Sequence, residues 1–347
     1  MVVGGGTPDT NNHKYWNGDI QWFTPSEIGR DKYVTNSLRT ISEEGLNKSS
    51  AKLLPIGTIL LSSRATVGEC SINKVECTTN QGFQSLIPKE NFSKEFVFYL
   101  MQTKRKELIR KSCGSTFLEI SANEVRKIKI AVPTSKEQEK ISKLLALLDE
   151  RISTQNKIID KLQSLIKGIA QHWIKNITSR SIYVKLGDIC QITTGKLDAN
   201  AQVDNGIYPF FTCAEHPLKI DSFAFDTEAL LISGNGANLG YINYYNGKFN
   251  AYQRTYVLDL FSENIQYIKW VLKVLLPKRI AIEKSSSNTP YILLSTLSDL
   301  MLPIPSKENQ YHIAELMQSL ERKLSSQITL NGSYNILKQY LLRQMFI

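Results

Sequence analysis

The chain contains one long internal repeat. In the middle of each half, residues 172 positions apart match without a gap, as Ala65 and Ala237 do. The same register continues into the segments that follow, where Pro133 matches Pro305. Further matched pairs are Gly68/Gly240, Gln81/Gln253, Leu100/Leu272, Ile120/Ile292, Gln138/Gln310 and Gln155/Gln327. A repeat of this length predicts a pseudo-symmetric molecule whose two similar units present differently decorated surfaces.

Each repeat combines a mixed globule with a long helix. In the first copy, short β-like runs surround one helical stretch, and the breaker Pro133 precedes a long periodic segment. The runs are 58–62, 82–87 and 127–132, and the helical stretch is 94–111. We therefore predict the α+β class, with globules at 1–133 and 179–305 and long helices at 134–178 and 306–347.

Capping signals mark where both long helices begin. Ser135 is the predicted N-cap of the first helix, with Gln138 at the third helical position in a capping-box pairing. Ser306 or a neighbour is the predicted cap of the second. Both helices should therefore begin directly after a proline.

The first long helix carries a heptad seam. Its apolar positions alternate spacings of four and three over about four heptads: Ile141, Leu145, Leu148, Ile152, Gln155, Ile159, Leu162, Ile166 and Ile169. The second helix has a less regular stripe: Ile313, Met317, Leu320, Leu324, Gln327, Leu330, Tyr334, Leu337 and Leu341. We predict that the helices pack on each other as an antiparallel coiled coil, with Gln155 and Gln327 setting the register. The alternative is that each helix packs only on its own globule.

Composition limits the partners. The 347 residues carry a formal net charge of +10, which favours a polyanionic partner, with nucleic acid ahead of membrane. A basic protein without such a partner is the alternative. There is no apolar run of about 18 residues and no leader pattern at the start, so we expect a cytoplasmic protein.

Metal and cofactor signals are weak. The five cysteines include no Cys-x-x-Cys pair, and none has a histidine at a zinc spacing. A nucleotide-binding Gly-x-x-x-x-Gly-Lys-Ser/Thr loop and an adenine-flipping Asn-Pro-Pro-Tyr segment are both missing. We therefore expect no metal, no cofactor and no catalytic residues.

Several motifs, in the same order in both halves, resemble the specificity subunit of type I restriction-modification systems. In the first half they are GGGTP (4–8), YWNGDIQWFTP (15–25), GTILLSSRATVG (57–68) and NQGF (80–83). In the second they are LGDI (186–189), ISGNG (232–236), YQR (252–254) and LLRQMF (341–346). Each motif alone is weak, but the order, twice over with a helix after each set, covers nearly the whole chain.

The resemblance implies a non-catalytic DNA-reading scaffold. Its two globules would be target recognition domains that each read half of a split asymmetric duplex sequence. The helices would be spacers that fix the gap and dock methyltransferase subunits, expected to be two, with restriction subunits joining in the full complex. A stand-alone nucleic-acid-modifying enzyme and a basic coiled-coil adaptor remain as alternatives.

Candidate DNA-binding residues follow from residue type. Bases in the major groove are read by Arg, Asn and Gln, and phosphates are bound by Lys, Arg, Ser and Thr. The candidates are Arg64, Thr66, Asn80, Gln81, Lys104, Arg105, Ser115, Thr116, Asn235, Asn238, Tyr252, Gln253, Arg254, Lys278 and Asn288. The shared Gln81 and Gln253 are better explained as structural, whereas the divergent pairs Arg64/Gly236 and Gly82/Arg254 are better candidates for specificity.

The two copies differ at their beginnings. Gly6 matches Gly195 at a distance of 189, so the first copy has 17 more residues than the later register allows, around 29–50. These polar residues are either a DNA-reading loop or an idle surface insertion. The second copy also has a strand-like lead-in from Tyr183 that has almost no equivalent before Gly4.

Overall fold

The computed structural model describes residues 1–114, 118–177, 181–284 and 291–346. Contacts divide the chain into two compact units. Unit 1 contains Met1–Gln155 and Leu330–Ile347, and unit 2 contains Asn156–Thr329. Each unit therefore holds one globule together with one part of each long helix.

The globule of unit 1 is built from short strands and three helices. In order they are β1 Val2–Gly4, β2 Trp16–Phe23, β3 Tyr33–Val34, β4 Arg39–Ile41, α1 Glu43–Asn47, β5 Ile59–Leu61, β6 Cys70–Asn73, β7 Cys77–Thr79, β8 Gln84–Leu86, α2 Lys94–Arg110 and α3 Ala122–Arg126. The strands form a five-stranded sheet, β1-β8-β5-β6-β3, and a three-stranded sheet, β4-β2-β7. Helix α2 buries its apolar face, including Tyr99 and Leu100, with Ile59 and Ile72 of the larger sheet.

Helix α4, Ser135–Ile177, joins the two globules in the chain. The elements of unit 2 that follow are β9 Ile182–Lys185, α5 Leu186–Ile189, β10 Gln191–Thr194, β11 Tyr208–Phe211, β12 Leu218–Ile220, β13 Phe225–Ser233, β14 Ile242–Ala251, β15 Thr255–Asp259, α6 Ile265–Lys284, α7 Leu294–Ser298, β16 Met301–Ile304 and α8 Lys307–Met345. Six strands form one sheet, β10-β15-β13-β14-β11-β12, and β16 pairs with β9. The predicted α+β class is confirmed.

Strand pairing gives the true register of the repeat. Val2 pairs with Leu86 as Ile192 pairs with Leu258, so the beginnings of the copies lie 190 residues apart. The glycine that corresponds to Gly195 is therefore Gly5, and the first copy has 18 more residues, not 17. The sequence match with Gly6 was wrong because neighbouring glycines in the GGG run cannot be told apart by identity.

The distance between matched residues of the two copies also changes by one residue in the middle of the repeat. Ile59 pairs with Leu86 whereas Leu230 pairs with Leu258, so β5 and β13 lie 171 residues apart while their partners lie 172 apart. The loop after β13 thus has one more residue than the loop after β5. The gap-free register of the sequence analysis was wrong here, because backbone pairing rather than the chance identity of Ala65 with Ala237 fixes the match.

The predicted strand at 127–132 is not formed. Its counterpart in unit 2, β16, pairs with β9 over four residues, from Met301 with Lys185 to Ile304 with Ile182. In the described part of unit 1, residues 128–132 belong to no strand. An isolated extended segment has no ladder of backbone hydrogen bonds, so it is not a strand without a partner.

The extra residues of the first copy are not an idle insertion. They supply β3, β4 and α1, and Ile41 of β4 is fully buried with Trp16 and Trp22. The guanidinium carbon of Arg39 lies 3.6 Å from the centre of the Trp16 ring. These contacts form a small hydrophobic cluster on the β4-β2 pair.

The two long helices pack on each other within each unit, as predicted. In unit 1, Leu145 of α4 shares a buried cluster with Leu342 of α8, and Asp149 forms a 2.6 Å ion pair with Lys338. In unit 2, buried Ile166, Ala170 and Met317 share a cluster with Leu324. Residues with higher numbers in α4 pack against residues with lower numbers in α8, so the two helices are antiparallel. The alternative, in which each helix packs only on its own globule, is wrong because α4 and α8 also pack on each other.

The predicted stripe of α8 is wrong in its last part. Leu330 and Leu337 are 39% and 43% exposed. The strict alternation of four and three instead continues from Gln327 through Asn331, Tyr334, Lys338 and Leu341, which are partly buried. A pattern built from apolar residues alone misses this seam, because polar side chains occupy two of its positions. Lys338 is held in the seam by its ion pair with Asp149.

A matched glutamine fixes each long helix to its globule. The amide oxygen of Gln138 accepts a 3.0 Å hydrogen bond from the backbone NH of Ser93, just before α2. Gln310 accepts one of 3.0 Å from Asn264, just before α6. The predicted Ser135–Gln138 capping box is therefore wrong: Thr134 and Glu137 form the cap, and Gln138 is buried. Ser306 caps α8 as predicted.

Candidate nucleic-acid interface

Three loops of unit 1 meet beyond one end of the strands of the larger sheet. The backbone NH of Ser63 donates to Gly82 at 2.8 Å, which joins the loop after β5 to the loop between β7 and β8. Ile120 donates to Ser63 at 3.0 Å and brings in the segment after α2. We call loops 63–68 and 79–83, together with the described residues 113–114 and 118–120, loop cluster 1. Of the sequence candidates it contains Arg64, Thr66, Asn80 and Gln81.

Unit 2 contains an equivalent group of loops. Gly234 donates to Arg254 at 2.8 Å and Ile292 donates to Gly234 at 2.9 Å, which repeats the pattern of unit 1. The amide of Asn238 donates to the carbonyl of Cys213 at 3.1 Å. Loop cluster 2 consists of loops 195–198, 212–216, 234–240 and 251–254. It brings together the candidates Asn235, Asn238, Tyr252, Gln253 and Arg254.

The corrected register places Arg64 opposite Asn235. Gly68 donates to Ser62 and Gly240 donates to Ser233, so the residue two after Ser62 corresponds to the residue two after Ser233. The next residue in each loop has a left-handed backbone, with φ of 58° at Ala65 and 79° at Gly236. The predicted opposition of Arg64 and Gly236 was therefore wrong by one residue. An arginine and an asparagine occupy the same position of the two clusters.

The side chain of Arg64 is accessible. It is 46% exposed and lies 2.8 Å from Glu119, whose side chain is 42% exposed. An exposed ion pair of this kind contributes only about 0 to 1 kcal/mol. Breaking this ion pair so that the guanidinium can bind a stronger acceptor therefore requires little free energy.

Other candidates have roles inside the loops. The hydroxyl of Thr7 donates to the side-chain oxygen of Gln81, and Asn80 accepts a 2.9 Å bond from the backbone of Gly82. Thr66 donates to Ser62 at 3.1 Å. These contacts favour the structural interpretation of Gln81. Exposed Gln253 and Arg254 lie at the tip of the matching turn in unit 2.

The basic candidates are less concentrated than the sequence suggested. Arg105 forms a 3.0 Å ion pair with Glu69, and Lys104 lies 3.9 Å from Glu107. Lys278 lies apart from loop cluster 2, beside α4 and α8 at a cavity that Trp270 also lines. Ser115, Thr116 and Asn288 lie outside the described residues.

Sequence reasoning missed two charged residues of the clusters. Glu119 holds Arg64, and exposed Lys196 follows Gly195 in loop cluster 2. Position 196 corresponds to Gly6 in the corrected register, and the sequence analysis offered no candidate at either position. Only the strand pairing supplied the signal.

The described residues show neither a metal-binding cluster nor a membrane-spanning helix. They contain no group of three or more His, Cys, Asp or Glu side chains arranged to hold a metal ion. None of the described helices is long and apolar enough to span a bilayer.

Comparison with known proteins gives a consistent result over both repeats. The profile of the "Type I restriction modification DNA specificity domain" matches residues 2–164 and 181–331. The chain is 28% identical to the type I restriction enzyme MjaIX specificity subunit of Methanocaldococcus jannaschii, over 93% of this chain and 85% of that protein. It is 43% identical to the EcoDI specificity subunit of Escherichia coli over 41% of this chain and 32% of that protein.

Solved structures share the fold. The S subunit of a type I restriction-modification system from M. genitalium matches with a TM-score of 0.66, covering 98% of this chain and 99% of that chain at 18% identity. A chain from a structure of a type I R-M system, whose title concerns complex assembly and conformational transition, matches with a TM-score of 0.63 at 17% identity.

Proposed function

Because the chain belongs to the type I restriction-modification DNA specificity family, whose members it matches along most of its length, we propose that it reads a bipartite, asymmetric duplex target. It is a specificity subunit and not a catalytic one. In this proposal 1–133 and 179–305 are the two target recognition domains, and 134–178 and 306–347 are the spacer helices. Because a protein with this function acts on the DNA of the cell, we propose that it is located in the cytoplasm.

The observation that carries the proposal is the pair Arg64 and Asn235. Both follow the same strand and directly precede the same left-handed turn residue in the two repeats. Arginine forms two hydrogen bonds with guanine, whereas asparagine forms two with adenine. Two equivalent loops that carry different side chains at one position would allow a protein to read two different half-sites.

Replacing Arg64 with alanine should relax the base preference at one position of one half-site. A bidentate contact with a base is worth about 1 to 3 kcal/mol, so discrimination there should fall about fivefold to about 150-fold. Asn235→Ala should have the same effect in the other half-site only. The measurement is selection of bound duplexes from a randomised library by the purified chain with its methyltransferase partner.

A matched control variant distinguishes recognition of a base from non-specific electrostatic attraction to DNA. Lys106 is exposed on α2 outside the loop cluster, so Lys106→Ala should leave the selected sequence unchanged. If Arg64→Ala alters both half-sites, or neither, this assignment of the loop clusters is wrong.

The fixed gap between half-sites is attributed to the helices. α4 has 43 residues and α8 has 39. At about 1.5 Å per residue such helices are about 60 Å long, which exceeds the roughly 34 Å between successive major grooves on one face of DNA. A stiff helix pair of this length supports a defined distance between two readers.

Inserting one heptad into each helix should lengthen the gap and leave both half-sites unchanged. The insertion points are between Gln155 and Asn156 and between Thr329 and Leu330, where the helices pass from one unit to the other. Seven residues preserve the seam and add about 10 Å, or about three base pairs. Library selection gives the preferred gap. An unchanged gap would contradict the proposed spacing role.

Docking of methyltransferase subunits is attributed to the outer faces of the helices. In unit 1, Leu147 of α4 is 52% exposed, and Ile336 and Tyr340 of α8 are 73% and 58% exposed. Leu165 of α4 is 50% exposed in unit 2. Large apolar side chains repeated along exposed helix faces are typical of protein interfaces. The repeat supports two such subunits, with restriction subunits joining the full complex.

A further inference from the structure

The chain contains five Asn-Gly dipeptides, and one of them includes a proposed base-reading residue. They are Asn17-Gly18, Asn205-Gly206, Asn235-Gly236, Asn246-Gly247 and Asn331-Gly332. Asparagine is among the thermolabile residues of proteins. Before a glycine, its side-chain amide can be attacked by the next backbone nitrogen to form a cyclic imide, because glycine has no side chain to obstruct the approach. Local structure decides at which of the five sites this attack is possible.

The loop around Asn235 leaves both reacting groups free. In loop cluster 2, Asn235 is partly exposed and Gly236 is exposed. Within the described residues, neither the side chain of Asn235 nor the backbone NH of Gly236 forms a hydrogen bond. A side-chain carbon built on Gly236 would meet no atom within 4 Å beyond its chain neighbours. The backbone can therefore change conformation here without breaking a contact.

Two of the other dipeptides are held by backbone contacts. Gly206 is buried, and its NH donates to the carbonyl of Val203 at 3.0 Å. A side-chain carbon on Gly18 would lie 2.5 Å from the Cα of Ser42, so the backbones of β2 and of the segment after β4 are closely packed there. Formation of the imide at either site would require these contacts to break.

The remaining two dipeptides lie inside regular elements. Asn246 and Gly247 belong to β14 and are paired with β13. Gly332 lies within α8, and the backbone NH of a helical residue donates four residues back along the chain. Imide formation requires the asparagine backbone to leave the conformation of a strand or helix. Asn235 is therefore the site at which the fold opposes the reaction least.

We propose that Asn235 is a site of spontaneous deamidation. The backbone nitrogen of Gly236 forms a bond to the side-chain carbonyl carbon of Asn235, and the bond from that carbon to the amide nitrogen breaks. The leaving nitrogen takes the proton that Gly236 loses and departs as ammonia. Water then opens the imide at one of its two carbonyl groups, which leaves aspartate or isoaspartate at position 235. The reaction requires no oxidant or reductant.

The consequence for DNA binding rests on the proposed reading role of Asn235. An asparagine side chain both donates to and accepts from adenine, whereas a carboxylate only accepts, as it does from the amino group of cytosine. The new negative charge would also be repelled by the phosphates. Arg64, at the matched position of unit 1, has no such amide. Deamidation would therefore alter one half-site and leave the other unchanged.

Mass mapping of the purified chain after incubation at mildly alkaline pH tests the modification. The peptide containing Asn235 should gain the mass difference between an amide and an acid at least about tenfold faster than the other four Asn-Gly peptides, where a backbone contact must first break. Uniform rates at the five sites, or no gain at Asn235, would overturn the proposal.

Two glycine variants separate local geometry from general ageing. Gly236→Ala should slow the mass gain at Asn235 about tenfold, because a methyl group obstructs the attacking nitrogen. Ala65 occupies the matched turn position with φ of 58°, so this turn accommodates alanine. Gly332→Ala, in α8, should leave the rate at Asn235 unchanged. Equal rates at Asn235 in the two variants would contradict attack by Gly236.

Selection of duplexes from a randomised library distinguishes a failed modification from a failed reading role. With its methyltransferase partner, the incubated chain should lose the adenine preference at one position of the second half-site and keep the first half-site. Asn235→Asp should show the same loss without incubation. If Asn235 is deamidated but neither sample changes its selected half-site, the reading role of Asn235 is wrong and the modification site stands.

Discussion

Replacing Gly195 with alanine should unfold the sheet of unit 2 under conditions in which the natural chain is folded. A side-chain carbon at this position would lie 1.9 Å from the carbonyl oxygen of Ala251, which belongs to the backbone of β14 and cannot rotate away. Gly5 has the same role in unit 1, where the carbon would lie 2.0 Å from the carbonyl oxygen of Asn80. We expect each substitution to lower the free energy of unfolding by about 4 kcal/mol or more.

Gly168 provides the matched control. It lies inside α4, and a side-chain carbon there would meet no atom within 4 Å apart from the adjacent backbone of its own helix. Alanine is a better helix former than glycine, so Gly168→Ala should stabilise the protein by about 0.5 to 1 kcal/mol. Because two units need not unfold together, hydrogen exchange resolved by peptide is the appropriate measurement. Equal behaviour of Gly195→Ala and Gly168→Ala would contradict the close approach of the backbones.

Removing the charge of Glu321 should release the helix pair from the globule of unit 2. Lys269 of α6 lies 2.7 Å from Glu321 and its side chain is only 8% exposed, while Lys273 lies 3.0 Å away. Breaking a fully buried pair costs about 3 to 5 kcal/mol. Because Glu321 is 31% exposed, we expect about 2 to 3 kcal/mol for Glu321→Gln at neutral pH.

The same pair predicts a pH dependence. Burial acts to raise the pKa of Glu321, but the charges and hydrogen bonds of Lys273 and Lys269 outweigh it and hold the pKa below its ordinary value of 4.5. A carboxyl whose pKa is lower in the folded state contributes stability above its unfolded pKa. That contribution is lost as the pH falls through the folded pKa. Denaturant unfolding of the natural chain should therefore show an acid-dependent loss that Glu321→Gln lacks.

The exposed pair of Glu308 and His312 is the control for Glu321. Its two side chains are 85% and 65% exposed, so Glu308→Gln should change the free energy of unfolding by less than about 0.5 kcal/mol. A similar loss in both variants would mean that the burial of Lys269 does not matter. Asp149 occupies the matched place in unit 1, where it accepts from Tyr99 at 2.6 Å and pairs with Lys338.

Much of the candidate interface was accessible to sequence reasoning. The repeat placed Asn80 and Tyr252 in matched loops, and both lie in the loop clusters that the structure forms. Its register failed by one residue at Arg64 and at Gly5, because identity between neighbouring glycines or alanines carries less information than the hydrogen bonds of a strand.

The basic helix α2 shows a second limit. Lys104 and Arg105 are basic in the sequence, but whether a charge is available to phosphate depends on which carboxylates lie beside it. Glu69, which pairs with Arg105, is 36 residues away in the chain. Spacing along a helix predicts neighbours three or four residues apart, but it does not predict a carboxylate from a loop that is remote in the chain.

The sequence by itself determined the tandem α+β repeat, the long helices with their seam in α4, and the family. Local periodicity and the internal repeat are properties of the chain, so no distant contact was needed to find them. Only the tertiary structure decided that 127–132 is not a strand, that α8 carries polar Asn331 and Lys338 in its seam, and that Arg64 stands opposite Asn235. Each of these depends on a partner from a remote part of the chain, because strand pairing and burial arise only when such segments meet.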